Sequence, residues 1–260
     1  MQEILKSSQK ILCGPLCDAK IKLSIQEKRL LSTEDEMRIE PERLAYWYLR
    51  LNGFFTVTNF LVHPETRKDY STEVDVLGVR FPFRKENFKR PMTDDELFTR
   101  HDGRLCLVIA EVKSGPCDLN ESWGNPEKRN MEKVLAAIGV FPQSCCWTVA
   151  DSLYKIGCFQ DDNNWLSLLC IGRCSNEAIQ NSFSRVPQIT FDDILRFIHR
   201  RLVEYLDVKE QHEQWDCDGQ ALWETVSSHR REDEFLGVVH VELDTSTRGP
   251  NPSSQATPAS

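Results

Sequence analysis

The sequence predicts an α/β fold: a central mixed β-sheet flanked by helices, with elements in the order α-β-β-β-α-β and a closing helix. Two observations carry that expectation. The stretch Leu105–Gly115 (LCLVIAEVKSG) is apolar on both alternating faces until Glu111 and Lys113, the pattern of a strand covered on both sides of a sheet. Around it, some segments repeat their apolar residues with the helical period and others are rich in β-branched and aromatic residues.

Residues 1–39 form a lead-in with lysines and irregularly spaced apolar residues, apart from a short helix that STEDEM can start at Ser32. Pro41 suits the first position of a helix in which Leu44, Trp47, Tyr48 and Leu51 share a face, and Gly53 supplies the stop. Phe54–Val62 is a strand closed by His63-Pro64, and Thr72–Phe81 is a second one ended by Pro82. Residues 83–103 are a long charged insert in the core. Its Arg84, Lys85, Lys89 and Arg90 suit either a solvated loop or a contact to a nucleic-acid backbone.

After the central strand, 114–125 reads as loop. Pro126 can open a helix that turns Met131, Val134, Leu135 and Ile138 inward, and Ser144 can cap another at Trp147–Gly157 with Trp147, Ala150, Leu153 and Tyr154 on one face. The polar DDNN turn leads into a core strand, Trp165–Gly172. Thr190 with Asp193 resembles a capping box before the helix Phe191–Leu206, whose Ile194, Phe197, Ile198, Arg201, Leu202 and Tyr205 form a mostly apolar face. Residues 207–244 are a polar extension with a short strand expected at Val238–Leu243, and 245–260 is a tail too poor in hydrophobic residues to order itself.

At 260 residues the chain can bury a full core, placed here at 40–206. No stretch approaches the roughly eighteen apolar residues of a membrane span, and MQEILKSSQK lacks a signal-peptide pattern, so a cytoplasmic protein with reduced thiols and no membrane partner is expected. The 10 cysteines include the pairs Cys13/Cys17 and Cys170/Cys174 and the adjacent Cys145/Cys146. Without a repeated C-x-x-C knuckle, buried free thiols are expected rather than structural zinc. A net charge of −8 argues against a protein that coats nucleic acid non-specifically. It leaves room for a local basic groove around an acidic, cation-filled site, because a bound metal reverses the local field.

Charges on core strands need a reason. Residues at i and i+2 share a strand face, so Glu73 and Asp75 lie together on the second strand and Glu111 and Lys113 on the third. If those strands are neighbours, Asp75 and Glu111 converge and repel unless a cation sits between them. Hard divalent ions take oxygen ligands of this kind together with water and phosphate, and a neighbouring ammonium can orient a water molecule for attack. Those parts suit hydrolysis of a phosphodiester. Glu73 is expected at the rim.

In this order the residues resemble the PD-(D/E)XK superfamily, the restriction-endonuclease-like nucleases: Glu42 in the first helix, Asp75 in STEVDVLGV, and Glu111-Val112-Lys113 in AEVKSG. The arrangement is similar to that of Mrr-type restriction enzymes and Holliday-junction resolvases, where a helix glutamate precedes a glycine-aromatic pair; Gly53-Phe54 fills that place. The resemblance covers roughly residues 40 to 206 and implies a restriction-endonuclease-like core. It implies that Asp75 and Glu111 ligate Mg²⁺ or Mn²⁺ with the carbonyl of Val112. Lys113 would serve the attacking water, and Glu42 would complete the acidic site or hold a second metal. The implied protein is a metal-dependent phosphodiester hydrolase, a DNA endonuclease of restriction, defence or repair type. Its partners would be nucleic acid, DNA first, and either a second copy or another protein. A catalytically inactive nuclease-fold binding or assembly module and an RNA-directed nuclease are the alternatives. Lys128, Arg129 and Asn130, after the motif, join Lys85, Lys89 and Arg90 as candidate nucleic-acid contacts. His63 and His101 are weaker candidates for assistance, and Trp215 and Trp223 for stacking.

Overall fold

The computed structural model describes residues 39–63, 72–101, 103–209 and 216–247. The expected helix at Ser32, the Cys13/Cys17 pair, Pro64, Trp215 and the expected tail from 248 onward lie outside the described residues, while the tail's first residues, 245–247, are helical.

Helix α1 (Pro41–Leu51) buries Leu44, Trp47, Tyr48 and Leu51, the face its period predicts. Gly53 ends it with φ 82, a conformation that favours glycine, and a Cβ there would displace the Arg84 side chain that lies over it. Strands β1 (Phe55–Val62) and β2 (Thr72–Arg80) follow, then α2 (Glu96–Thr99), β3 (Leu105–Val112), α3 (Glu121–Gly124) and a 3-10 turn at Pro126–Lys128. Helices α4 (Asn130–Ile138) and α5 (Gln143–Ile156) lead to β4 (Cys158–Gln160) and β5 (Asn164–Gly172). The chain continues through α6 (Glu177–Ser182), β6 (Gln188–Thr190), α7 (Phe191–Glu204), α8 (Leu206–Lys209), α9 (Cys217–Ser228) and α10 (Glu232–Thr247).

These form an α/β fold around a mixed six-stranded sheet in the order β1-β2-β3-β5-β4, with β6 also paired to β5. β3 is central: antiparallel to β2, with Val76 opposite Ala110, and parallel to β5, with Glu111 opposite Cys170. One face packs Leu77, Leu107, Ile109, Leu166 and Leu168 against Met131, Val134 and Leu135 of α4 and Val149, Ala150 and Leu153 of α5. Each large apolar side chain so buried contributes roughly 1.5–3 kcal/mol. The other face carries α1 and α7, with α9 and α10 packed on α7. The expected capping box starts α7: Asp193 N–H donates to Thr190 Oγ1 at 3.2 Å, and Thr190 N–H to Asp193 Oδ2 at 3.1 Å.

Several expectations are corrected. The strand expected at Val238–Leu243 is part of α10, because Phe235, Val239 and Leu243 recur every fourth residue and bury one helical face. The helix expected from Pro126 begins at Asn130, since Pro126 opens a 3-10 turn and Arg129 breaks it with φ 54. Helix α5 starts at Gln143 behind Pro142, so Ser144 does not cap it, and its inward face uses Cys146 and Val149 while Trp147 stays 55% exposed. The sequence reading also lacked α2, α3, β4, α6, β6 and α8, pieces of three to six residues that are too short to show a period.

Candidate active site

The carboxylates converge where the β2–β3 ladder ends. The last register pair there is Val76 with Ala110, so Asp75 stands opposite Glu111. At that step the Val112 N–H donates to Asp75 Oδ2 at 2.8 Å. On β1, Asn59 faces Asp75 across a gap in the ladder and adopts φ 53, a conformation that asparagine tolerates better than most residues. Strain of this kind concentrates at functional sites.

Glu111 is 2% exposed and both its oxygens are engaged. Trp123 Nε1 donates to Oε2 at 2.8 Å, and Lys113 Nζ donates to Oε1 at 2.5 Å and to Asn120 Oδ1 at 2.8 Å. Sequence reasoning missed Trp123, Asn120 and Asn59. An indole inside the polar run 114–125 and an asparagine inside a strand-forming run were the available signals. Glu42, in the first turn of α1, is half-buried. Burial pushes its carboxyl up, Asp75 and Glu40 add to the rise, and Lys113 opposes it. Burial likewise pushes Glu111 up, against the hydrogen bonds from Lys113 and Trp123, with Asp75 adding to the rise. Glu42, Asp75, Glu111 and Lys113 therefore act on one another, with three carboxylates against one ammonium.

That negative excess fits a divalent cation, with limits set by the donors. Among the described residues, no group of three or more His, Cys, Asp or Glu side chains is arranged to hold a metal ion. A closed protein cage of the zinc type does not fit, whereas a Mg²⁺ ion held by one or two carboxylates and completed by water and phosphate does. Each oxygen of Asp75 and Glu111 keeps acceptor capacity beyond the bonds given above. The described cysteines are free thiols, and the Cys170 thiol beside the site is pushed up to about 12 by burial, so it stays protonated.

The other candidates are scattered. Glu73 is exposed on the rim, and His63 is exposed at the end of β1. His101 lies at the opposite end of the sheet, stacked on Trp165 with ring centroids 4.1 Å apart, and its pKa falls to about 4 through burial and the nearby Arg100 and Arg104. Lys128 and Arg129 are exposed before α4, with Arg129 paired to Glu132 at 2.6 Å, while Asn130 is buried. Lys85 and Lys89 are exposed on the 83–103 segment, and Arg90 bridges to Asp207 and Glu204. Trp223 is buried in α9. Among the described residues no helix is long and apolar enough to cross a membrane.

Comparison with protein-family models, with curated proteins and with solved structures returns no match.

Proposed function

We propose that the chain is a Mg²⁺- or Mn²⁺-dependent phosphodiester hydrolase with a restriction-endonuclease-like core, acting on nucleic acid as a DNA endonuclease of restriction, defence or repair type. The observation that supports it most is the meeting of Asp75 and Glu111 across neighbouring strands with Lys113 Nζ 2.5 Å from Glu111. Held by Asp75, Glu111 and the carbonyl of Val112, with Glu42 beside them, the ion would neutralise charge on the phosphate and the leaving oxygen. Asp75 is oriented by the Val112 N–H and Glu111 by Trp123, so neither has to reorganise on binding. Lys113 has three N–H donors, two of them spent on Glu111 and Asn120. The third is left for a phosphate oxygen or the attacking water.

The test is cleavage of plasmid DNA, and in parallel of RNA, by purified protein with Mg²⁺ or Mn²⁺. Asp75→Ala and Lys113→Ala are each expected to lower the rate by roughly a hundredfold or more in protein that circular dichroism shows to be folded, with Lys113→Ala also melting lower because it removes one of the two donors to buried Glu111. Full activity in both variants sinks the assignment. One observation favours the second reading, an inactive binding or assembly module: Glu111 is already satisfied by Trp123 and Lys113 without a cation. Calorimetric titration with Mg²⁺ separates the two, since an inactive module binds no ion at Asp75.

A further inference from the structure

At the end of the sheet away from Asp75, the surface is aromatic and basic. Phe55 on β1 is 72% exposed and packs edge-on against Phe81, with ring centroids 5.7 Å apart. Together with Gly53, Phe83, Arg84 and Lys85 they line an open cavity of about 490 Å³. Phe83 is 85% exposed and Phe88, on the same segment, 94%. Folding gains nothing from holding such rings in water, and an exposed cluster of this kind marks a binding surface.

Its charge indicates the occupant. Residues 81–90 (FPFRKENFKR) carry four basic side chains and one acid in a chain of net charge −8. The one acid, Glu86, is turned onto Arg84 at 2.8 Å and Arg201 at 2.6 Å. Arg84 also binds Asp94, and Arg90 binds Asp207 and Glu204, so Lys85 and Lys89, exposed on the same segment as Phe83 and Phe88, carry the positive charge of this surface. Aromatic faces interleaved with ammonium groups are what an unpaired nucleic-acid strand uses, with bases stacking and phosphates pairing. A duplex keeps its bases stacked on one another and gains nothing from the rings.

We infer that Phe55, Phe81, Phe83 and Phe88 with Lys85 and Lys89 form a stacking surface for an unpaired strand. Asp75 and Phe81 lie six residues apart along β2 and its exit, roughly 20 Å at the usual strand rise, so the surface grips nucleotides flanking the cut rather than those at it. The proposal rests on the nuclease reading for its place in catalysis and makes a branched or single-stranded region the preferred substrate.

The experiment reads binding in EDTA, where no cleavage occurs, so that it succeeds or fails separately from the catalytic assignment. The anisotropy of fluorescein-labelled oligothymidine and oligouridine of roughly twenty nucleotides is compared with that of a duplex of equal length. Wild-type protein is expected to bind at least one of the single strands more tightly than the duplex. Phe83→Ala and Phe88→Ala, at positions too exposed to matter for folding, are each expected to weaken binding about tenfold. Lys85→Ala with Lys89→Ala is expected to flatten the dependence of affinity on salt. Which single strand binds more tightly names DNA or RNA as the source. The proposal is overturned if the single strands are not bound, if the phenylalanine variants bind them like wild type, or if those variants instead dissociate a self-associated form, which would make the surface a protein contact.

Discussion

Trp123 is the residue on which the geometry of Glu111 depends. A buried carboxylate is tolerated when donors satisfy it, and its two oxygens have one each, from Trp123 and Lys113. Trp123→Phe keeps most of the ring volume and removes one donor. The variant is expected to lose about 1–3 kcal/mol in urea unfolding and to cleave more slowly at unchanged substrate affinity. A wild-type rate with lowered stability would reduce Trp123 to a packing role. Glu42 offers the opposite sign. Burial and Asp75 raise its carboxyl above the ordinary 4.5, so the folded state holds its proton more tightly than the unfolded chain does. Its charge then costs stability as pH rises from 4.5 through the raised value. Glu42→Gln is therefore expected to melt higher than wild type near neutral pH without divalent ions, with the difference closing as pH falls below 4.5. A difference independent of pH would show that Glu42 does not titrate in that window. The two cases also mark what a sequence can show at this scale. Asp75, Glu111 and Lys113 were legible because charges interrupted apolar strands. Trp123 and Asn120 were not, since the path of a loop, rather than any local period, decides which donor reaches a carboxylate.

At the scale of elements, the charged segment 83–103 is anchored to α7. Arg201, fully buried, donates to Asp94 Oδ1 at 2.8 Å and Glu86 Oε2 at 2.6 Å, while Arg80 and Arg84 also bind Asp94, at 3.0 and 2.5 Å. Burial alone would raise the Asp94 carboxyl, but Arg84 and Arg201 outweigh it and hold it below 3.8. Its stabilising effect is thus present above 3.8 and lost as pH falls through the lowered value. Asp94→Ala strands buried guanidinium charges and is expected to cost about 3–5 kcal/mol, read by chemical denaturation. A cost under 1 kcal/mol, the usual worth of an exposed ion pair, would mean the network is solvated. The sequence placed Arg201 on a mostly apolar helix face and named no partner for it. It could not say that the anion lies 107 residues upstream.

For the whole molecule, the C-terminal helices belong to the folded body. Arg43, next to Glu42, binds Asp216 at 2.6 Å and Asp218 at 2.5 Å, and Gly219 rests on Trp47, where a Cβ would come within 2.1 Å of the indole. Two effects compete in Gly219→Ala. Helix propensity favours alanine by about 0.8–1 kcal/mol, and the overpacking of a buried indole costs about 1–3 kcal/mol. Sterics are expected to win, lowering the melting temperature. Gly237→Ala in α10 meets nothing within 4 Å and is expected to raise it. Equal shifts of one sign in both variants would show that the contact with Trp47 carries no weight.

What the sequence by itself determined is what local periodicity and burial can encode. That covers the central strand β3, the helices α1 and α7 with their inward faces, and the candidates Asp75, Glu111 and Lys113, whose charges are costly on buried strands. The tertiary structure decided the rest. It set the register that puts Asp75 opposite Glu111, the donors that satisfy Glu111, the pairing of Arg201 with Asp94, and the helical rather than extended form of α10. These depend on which distant segments meet, and that is settled by packing the whole chain at once.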